Sequence, residues 1–291
     1  MPRCILHGGL LRVGVIHAGL AALLAPVAAQ AQSAVAPEGS VLEGDHITIG
    51  AGAVFGPSYE GSDDYVVTPI PVVQGKLKGI EITPRPGGVA FDLVRDGGDR
   101  SVGFSFGPVV TYSGNRKRQI EDPVVLASGK LMANIEVGAS AGVTFYKLLH
   151  EYDSVTVSAD IKWDINGAHG GMVVLPQVSY FTPLSQAAFV NLSVGAKHVD
   201  DDYADYYYSV SPAQAVVSGL PEYRGDGGWA RVGANLLAGY DLDGNLLNGG
   251  FSIVVLAGYN RLINDAKRTP FTSLRGDADQ WLIGGGLAYT F

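Results

Sequence analysis

Ser154-Val155-Thr156-Val157-Ser158-Ala159-Asp160-Ile161-Lys162-Trp163-Asp164-Ile165 alternates without a break. Val155, Val157, Ala159, Ile161, Trp163 and Ile165 fall on one side, and Ser154, Thr156, Ser158, Asp160, Lys162 and Asp164 on the other. An extended chain sends successive side chains to opposite faces, so the segment reads as a strand with one apolar and one polar face. The polar face carries charge of both signs. That suits the wall of a wet lumen and not a dry core.

The same reading extends outward along the chain. Between Ser101 and Ser113, Val102, Phe104, Phe106, Pro108, Val110 and Tyr112 share a face. Opposite them stand mostly small residues: Ser101, Gly103, Ser105, Gly107, Thr111 and Ser113. At the end of the chain Trp281, Ile283, Leu287, Tyr289 and Phe291 alternate with Leu282, Gly284, Gly286, Ala288 and Thr290. A soluble sandwich also alternates, but these strands run to about 10–14 residues, enough to cross a bilayer on a tilt. Aromatics (Trp163, Tyr112, Trp281, Tyr289, Phe291) sit near the ends of the apolar faces, as interfacial girdles do. Beyond residue 31 no apolar run is long enough for a membrane-spanning helix. The expected fold is all-β, a transmembrane antiparallel β-barrel of about twelve strands.

The expected strands are 46–56, 66–74, 77–83, 88–95, 100–113, 131–147, 152–166, 171–183, 187–200, 228–241, 250–262 and 279–291. Parity tests the assignment, because bacterial barrels have even strand numbers, short inner turns and longer outer loops. The outer connections become 57–65, 84–87, 114–130, 167–170, 201–227 and 263–278, and nearly all the long ones fall on that side. Segment 206–217 would break the parity as a strand. It is therefore placed within a long outer excursion that folds over or into the lumen.

Residues 1–31 read as a secretory signal: Arg3 and Arg12 supply charge, Val13 to Val27 is mostly apolar, and Ala29-Gln30-Ala31 is a cleavage site. Residues 32–45 are then a short N-terminal periplasmic segment and 46–291 the barrel, in the bacterial outer membrane. Cys4 departs with the signal, so no disulfide framework or thiol chemistry is expected. Removing Arg3 and Arg12 takes the formal charge from −8 to about −10. No basic patch appears beyond Arg116-Lys117-Arg118, so no nucleic-acid partner is expected.

Several stretches resemble the MipA/OmpV family of outer-membrane proteins. They are Tyr59-Glu60-Gly61-Ser62-Asp63-Asp64-Tyr65 with Pro69-Ile70-Pro71, then Asp202-Tyr203-Ala204-Asp205-Tyr206-Tyr207-Tyr208-Ser209-Val210, Ser218-Gly219-Leu220-Pro221-Glu222-Tyr223, and Tyr289-Thr290-Phe291. The resemblance covers essentially the whole chain after residue 31, with Ser209 standing where the family often has glycine. It implies a scaffold that links a murein-hydrolysing lytic transglycosylase to a murein-synthesising penicillin-binding protein. Other members of the family are described as porin-like or adhesin-like.

The candidate sites follow from position. Glu136, Asp160, Lys162, Asp164, Lys197 and Arg231 lie on expected inward faces, with Asn134 and Asn235. Such charges either line an aqueous pore or pair across the lumen and close it. Asp202, Asp205, Tyr206, Tyr207 and Tyr208 are candidates for outer-loop interaction. The acids, with Asp200 and Asp201, could bridge cations to lipopolysaccharide but lack the spacing of a dedicated cation loop. The tyrosines are a stacking surface, interfacial anchors or loop packing. Gly286, Tyr289 and Phe291 resemble the signal read by the barrel assembly machinery. No HExxH or G-x-S-x-G occurs. His169 and His198 fall near the expected outer rim, yet nothing marks a nucleophile, so no catalysis, metal or cofactor is expected. The expected partners are outer-membrane lipid, lipopolysaccharide, the assembly machinery and the two murein enzymes. A small-solute pore and a surface adhesin remain alternatives.

Overall fold

The computed structural model describes residues 40–95 and 101–291. The expected signal, most of the 32–45 segment and residues 96–100 lie outside them. Twelve antiparallel strands close into a barrel in chain order, the first pairing with the last. They are β1 (His46–Pro57), β2 (Tyr65–Leu77), β3 (Ile80–Arg85), β4 (Gly88–Asp92), β5 (Val102–Ser113), β6 (Asn134–Tyr146), β7 (Ser154–Asp164), β8 (Met172–Pro183), β9 (Ala188–Val199), β10 (Gly228–Asp241), β11 (Gly250–Leu262) and β12 (Asp279–Thr290). Apart from β3 and β4, the strands run from 11 residues (β7) to 14 (β10).

Burial is inverted relative to a soluble protein, and β7 shows why. Thr156, Asp160 and Lys162 are buried, while Val157, Ile161 and Trp163 are about half exposed on the outer wall. The polar face therefore lines the interior and the apolar face meets the surroundings, the arrangement a bilayer demands. Trp163, Trp229, Trp281 and Phe291 stand exposed on that outer wall. Among the described residues no helix is long and apolar enough to cross a membrane.

Closure between β1 and β12 relies on missing side chains. Gly52 pairs with Gly286, and a Cβ on Gly52 would lie 2.4 Å from the Gly285 carbonyl oxygen. Across the same seam the hydroxyls of Thr48 and Thr290 are 2.8 Å apart. The residues expected as an assembly signal end this strand: Tyr289 stacks on Phe251 and Phe291, and the Phe291 N–H donates to Ile47.

Several boundaries differ from the sequence reading: β4 ends at Asp92 and not 95, β6 begins at Asn134 and not 131, and two turns are displaced or widened. The turn expected at 75–76 lies at Lys78-Gly79, where both residues have positive φ, 54° and 81°. Leu77 pairs with Ile80, so this is a two-residue hairpin of the kind that matches strand twist. Between β6 and β7 the strands end early, because the Asp153 carboxylate accepts from the Leu148 and Leu149 N–H groups and holds a wider turn.

The excursion after β9 is helical: α2 (Asp201–Tyr208) and α3 (Pro212–Ser218). Shorter helical turns, α1 (Pro123–Ala127), α4 (Asn264–Arg268) and α5 (Pro270–Ser273), lie in the other long connections. All five are at the end of the barrel that carries the long loops.

Candidate functional site: a plugged lumen

Helix α2 begins where its acids dictate. Asp200 is the N-cap, its carboxylate accepting from the Tyr203 N–H, and Asp201 and Asp202 occupy the first turn where the helix dipole favours negative charge. Asp200 also accepts from the Met172 N–H, Asp201 from Gly227, and Asp205 from the Ser209 hydroxyl. The acidic cluster is thus largely consumed in holding the excursion. Among the described residues no group of His, Cys, Asp and Glu is arranged to hold a metal ion.

Spacing along α2 puts Tyr203, Ala204, Tyr207 and Tyr208 on one buried face. They pack with Val173, Val199, Ala230, Leu262 and Ala266 from the strand ends and α4. Tyr207 and Tyr208, expected as outer-loop interaction residues, are therefore plug residues, each at most 4% exposed. Tyr206 stays half-buried, its hydroxyl accepting from the Met132 N–H. Asp202 and Asp205 keep exposed positions on the opposite face. Of the three readings open for the tyrosines, loop packing describes Tyr207 and Tyr208.

The remaining loops seal over this helix. Tyr59, Val125, Val210, Leu220 and Phe271 form a second buried cluster, drawn from four different connections. Arg116 is buried there, its guanidinium 3.6 Å from the Phe271 ring centroid and donating to the Tyr207 carbonyl at 3.2 Å. Burial pulls its pKa down to about 10 and pushes that of Tyr59 up to about 12. Asp122 caps α1 through the Val124 and Val125 N–H groups and pairs with Arg275 at 2.6 Å.

Below the plug, charges pair across the lumen. Lys197 on β9 reaches Glu60 in the β1–β2 loop at 2.6 Å and also donates to the Tyr203 hydroxyl at 2.6 Å. The Tyr208 hydroxyl donates to the other Glu60 oxygen at 3.2 Å. Burial pushes the Glu60 carboxyl up, but Lys197 and Arg231 outweigh it and hold the group below the usual carboxylate range. Burial, then the Glu60 charge, raises the Tyr203 and Tyr208 phenols well above their ordinary value. Both stay neutral; Tyr203 holds α2 to β9 and Tyr208 holds it to the β1–β2 loop.

Two further pairs lie deeper. Lys162 meets Glu136 at 2.6 Å and donates to Thr111, while Asn134 donates to the second Glu136 oxygen. Arg85 on β3 spans the lumen to Asp160 on β7 at 2.7 Å and to the Ser140 hydroxyl at 3.0 Å. His169 accepts the Gly171 N–H at Nδ1, which leaves Nε2 as the ring donor, 3.4 Å from Glu136. Of these groups Arg85, Thr111, Glu136, Asp160 and Lys162 line a cavity of about 70 Å³, together with Glu60, Lys197 and Arg231.

The structure therefore brings Glu136, Asp160, Lys162, Lys197 and Arg231 to one cavity. Asp164 stands apart at the rim, where its carboxylate accepts from Asn166, His169 and Gly170 and shapes the β7–β8 loop. Asn235 is buried but lies outside the paired network. His198 packs edge-on against Trp229. The sequence reading missed Glu60, Arg85 and Tyr203 as members of the network. Glu60 and Tyr203 belong to the stretches that carried the family resemblance, which is the signal that singles them out.

The family profile described as MltA-interacting protein MipA matches residues 49–291. A search of curated proteins finds no match. Among solved structures, an outer membrane channel from Pseudomonas putida F1 is 13% identical with a TM-score of 0.43, covering 88% of this chain and 100% of that one. OprD from Pseudomonas aeruginosa is 11% identical with a TM-score of 0.36, over 82% of this chain and 62% of that one. OmpT of Vibrio cholerae is 7% identical with a TM-score of 0.33, over 85% of this chain and 97% of that one.

Proposed function

Because the chain belongs to the MipA (MltA-interacting protein) family, we propose that it is a non-enzymatic barrel of the bacterial outer membrane. It holds a murein-hydrolysing lytic transglycosylase and a murein-synthesising penicillin-binding protein together at the membrane. The observation that carries this reading over an open pore is the seal. Helix α2 is packed into the barrel mouth, two ion pairs (Lys197–Glu60 and Arg85–Asp160) cross the lumen beneath it, and Lys162–Glu136 joins the inner faces of the adjacent strands β7 and β6. A conduit would keep such a path clear, whereas an anchor gains rigidity from filling it.

The end with short turns supplies a contact surface. Leu148, Leu149, Tyr152, Leu184 and Leu242 are exposed there, Leu149 at 80%. Exposed apolar side chains clustered at one end are an ordinary mark of a protein contact. The test is affinity capture from detergent-solubilised envelopes, with Leu148→Asp/Leu149→Asp as the comparison. Recovery of both murein enzymes by the parent chain and their loss with the variant supports the reading; recovery of neither by the parent sinks it.

The second reading is a gated small-solute pore, favoured by the mixed charge of the inner wall. Planar-bilayer recording separates the two, since the scaffold is electrically silent and the pore is not.

A further inference from the structure

The barrel wall is thinly zipped on both sides of the short β3–β4 hairpin: β4 and β5 share three register pairs, Gly88 with Thr111, Val89 with Val110 and Ala90 with Val109, and the seam with β2 is as short. Strands β2 and β3 share only three pairs, Gly75 with Ile82, Lys76 with Glu81 and Leu77 with Ile80. Most other neighbouring long strands share eight or more. The reason is written in the prolines. Opposite β1, Pro71 stands across from Ala51 and Pro69 from Ala53. A proline cannot donate to that ladder, so the even-numbered residues of β2 bond to β1 and the odd-numbered ones turn their backbone groups toward β3.

Continuing the β2–β3 register beyond Gly75–Ile82 would set Val73 against Pro84 and Pro71 against Pro86. Each of these positions lacks at least one N–H, so the ladder stops there and cannot be extended. Beyond it the β3 tip is held from the β5 side and not by β2: Arg85 pairs with Gly88, Gly88 with Thr111, and the Tyr112 N–H donates to the Gly87 carbonyl. Ile80 is exposed, Ile82 partly so, and Pro84 is buried, while Arg85 is drawn across the lumen to Asp160. Val67, Pro69, Pro71 and Val73 remain as an outward, apolar lip. Proline on this edge also removes the donors that a second strand would need, so the lip is poorly suited to docking another chain by strand addition.

The inner side of the split has a chemical preference. Arg85 and Pro86 line the 70 Å³ cavity. There four cations, Arg85, Lys162, Lys197 and Arg231, face three carboxylates, Glu60, Glu136 and Asp160. Three of the cations are paired, and Arg231 has no ion pair among the described residues.

We propose that the β2–β3 split is a lateral portal for an anionic, long-chain amphiphile. Its charged head seats at Arg231 in the lumen, its chain lies between the β2 lip and the β3 tip, and the Arg85–Asp160 pair latches the tip inward. The portal opens through the wall below the plug, so it requires neither displacement of α2 nor the scaffold role.

The probe is a long-chain carboxylate bearing a mid-chain diazirine, photolysed in phosphatidylcholine vesicles that hold the full-length barrel. Adducts concentrate on residues 65–77 and 80–86 and are displaced by the unlabelled carboxylate. Arg231→Gln lowers the labelling about tenfold, the size of one lost charge-assisted hydrogen bond. Pro71→Val/Pro84→Val/Pro86→Val restores the donors, zips the split and abolishes the adducts. Val73→Cys/Pro84→Cys does the same when oxidised and releases the block on reduction, which keeps the test independent of how the triple variant folds. Adducts spread evenly over the outward faces of all strands, or labelling unchanged with the split closed by disulfide, would overturn the proposal.

Discussion

Replacing Lys197 by methionine removes the cation paired with Glu60 at 2.6 Å and keeps the volume of the stem. Both side chains of the pair are at most 7% exposed. Glu60 is left with the Tyr208 hydroxyl at 3.2 Å and the more distant Arg231. Removing one partner of a buried pair typically costs about 3–5 kcal/mol, because the other charge stays buried and uncompensated. The cost falls on the docked state of the plug, since Glu60 can regain water when the β1–β2 loop and α2 lift together. The population with the plug displaced therefore rises by roughly a hundred- to a few-thousand-fold. The parent chain is expected to be silent in planar bilayers and resistant to protease between residues 200 and 227, and Lys197→Met to flicker open and be cut there. Glu60→Gln/Lys197→Met removes both charges and regains most of the resistance. A single variant as silent and protease-resistant as the parent, or a double variant worse than the single, would refute the reasoning.

Three further outcomes are expected. Glu60 has a depressed folded pKa, so its contribution is present above the ordinary glutamate value of 4.5 and is lost as pH falls through the lower folded value. Protease sensitivity of the plug thus rises on acidification below 4.5, and Glu60→Gln flattens that dependence. Arg116→Ala strips the guanidinium from Phe271 and the Tyr207 carbonyl and loosens the loop seal by about 2 kcal/mol or more, read as earlier proteolysis of the 114–133 loop with the barrel transition unchanged. Gly52→Val drives a side chain into the Gly285 carbonyl across the closing seam and costs about 1–3 kcal/mol, seen as a lower denaturant midpoint of the heat-modifiable barrel band.

The barrel was legible because a strand's side-chain period is two and the bilayer imposes a polar-in, apolar-out rule on every crossing. β7 could be assigned from twelve letters. The displaced turn at Lys78 escaped because a lysine at positive φ gives no compositional sign, unlike the glycine beside it. The helical nature of α2 was masked by its tyrosines, which are mediocre helix formers, although Asp200 as cap and the four-residue spacing of Tyr203 and Tyr207 were present. Parity assigns Asp160 and Lys197 to the interior but does not say what each faces. Arg85 and Asp160 are 75 residues apart in sequence, and Glu60 and Lys197 are 137 apart. Such pairings are set by the curvature and stagger of the closed sheet, which no local pattern encodes.

The seam between β1 and β12 has a consequence for how the chain is made. Every other ladder joins strands adjacent in sequence, so each can form as a hairpin soon after its second half is available. The seam joins residues 242 positions apart, as Thr48 and Thr290 are. The entropy of closing so long a loop grows only with the logarithm of its length, so the seam costs little at equilibrium. Kinetically it comes last. Until Asp279–Thr290 is in place, β1 presents an open edge to any strand in solution, including the β1 of another copy. Folding of this chain therefore passes through an obligatory unsealed sheet, and its yield depends on shielding that edge until the final strand arrives.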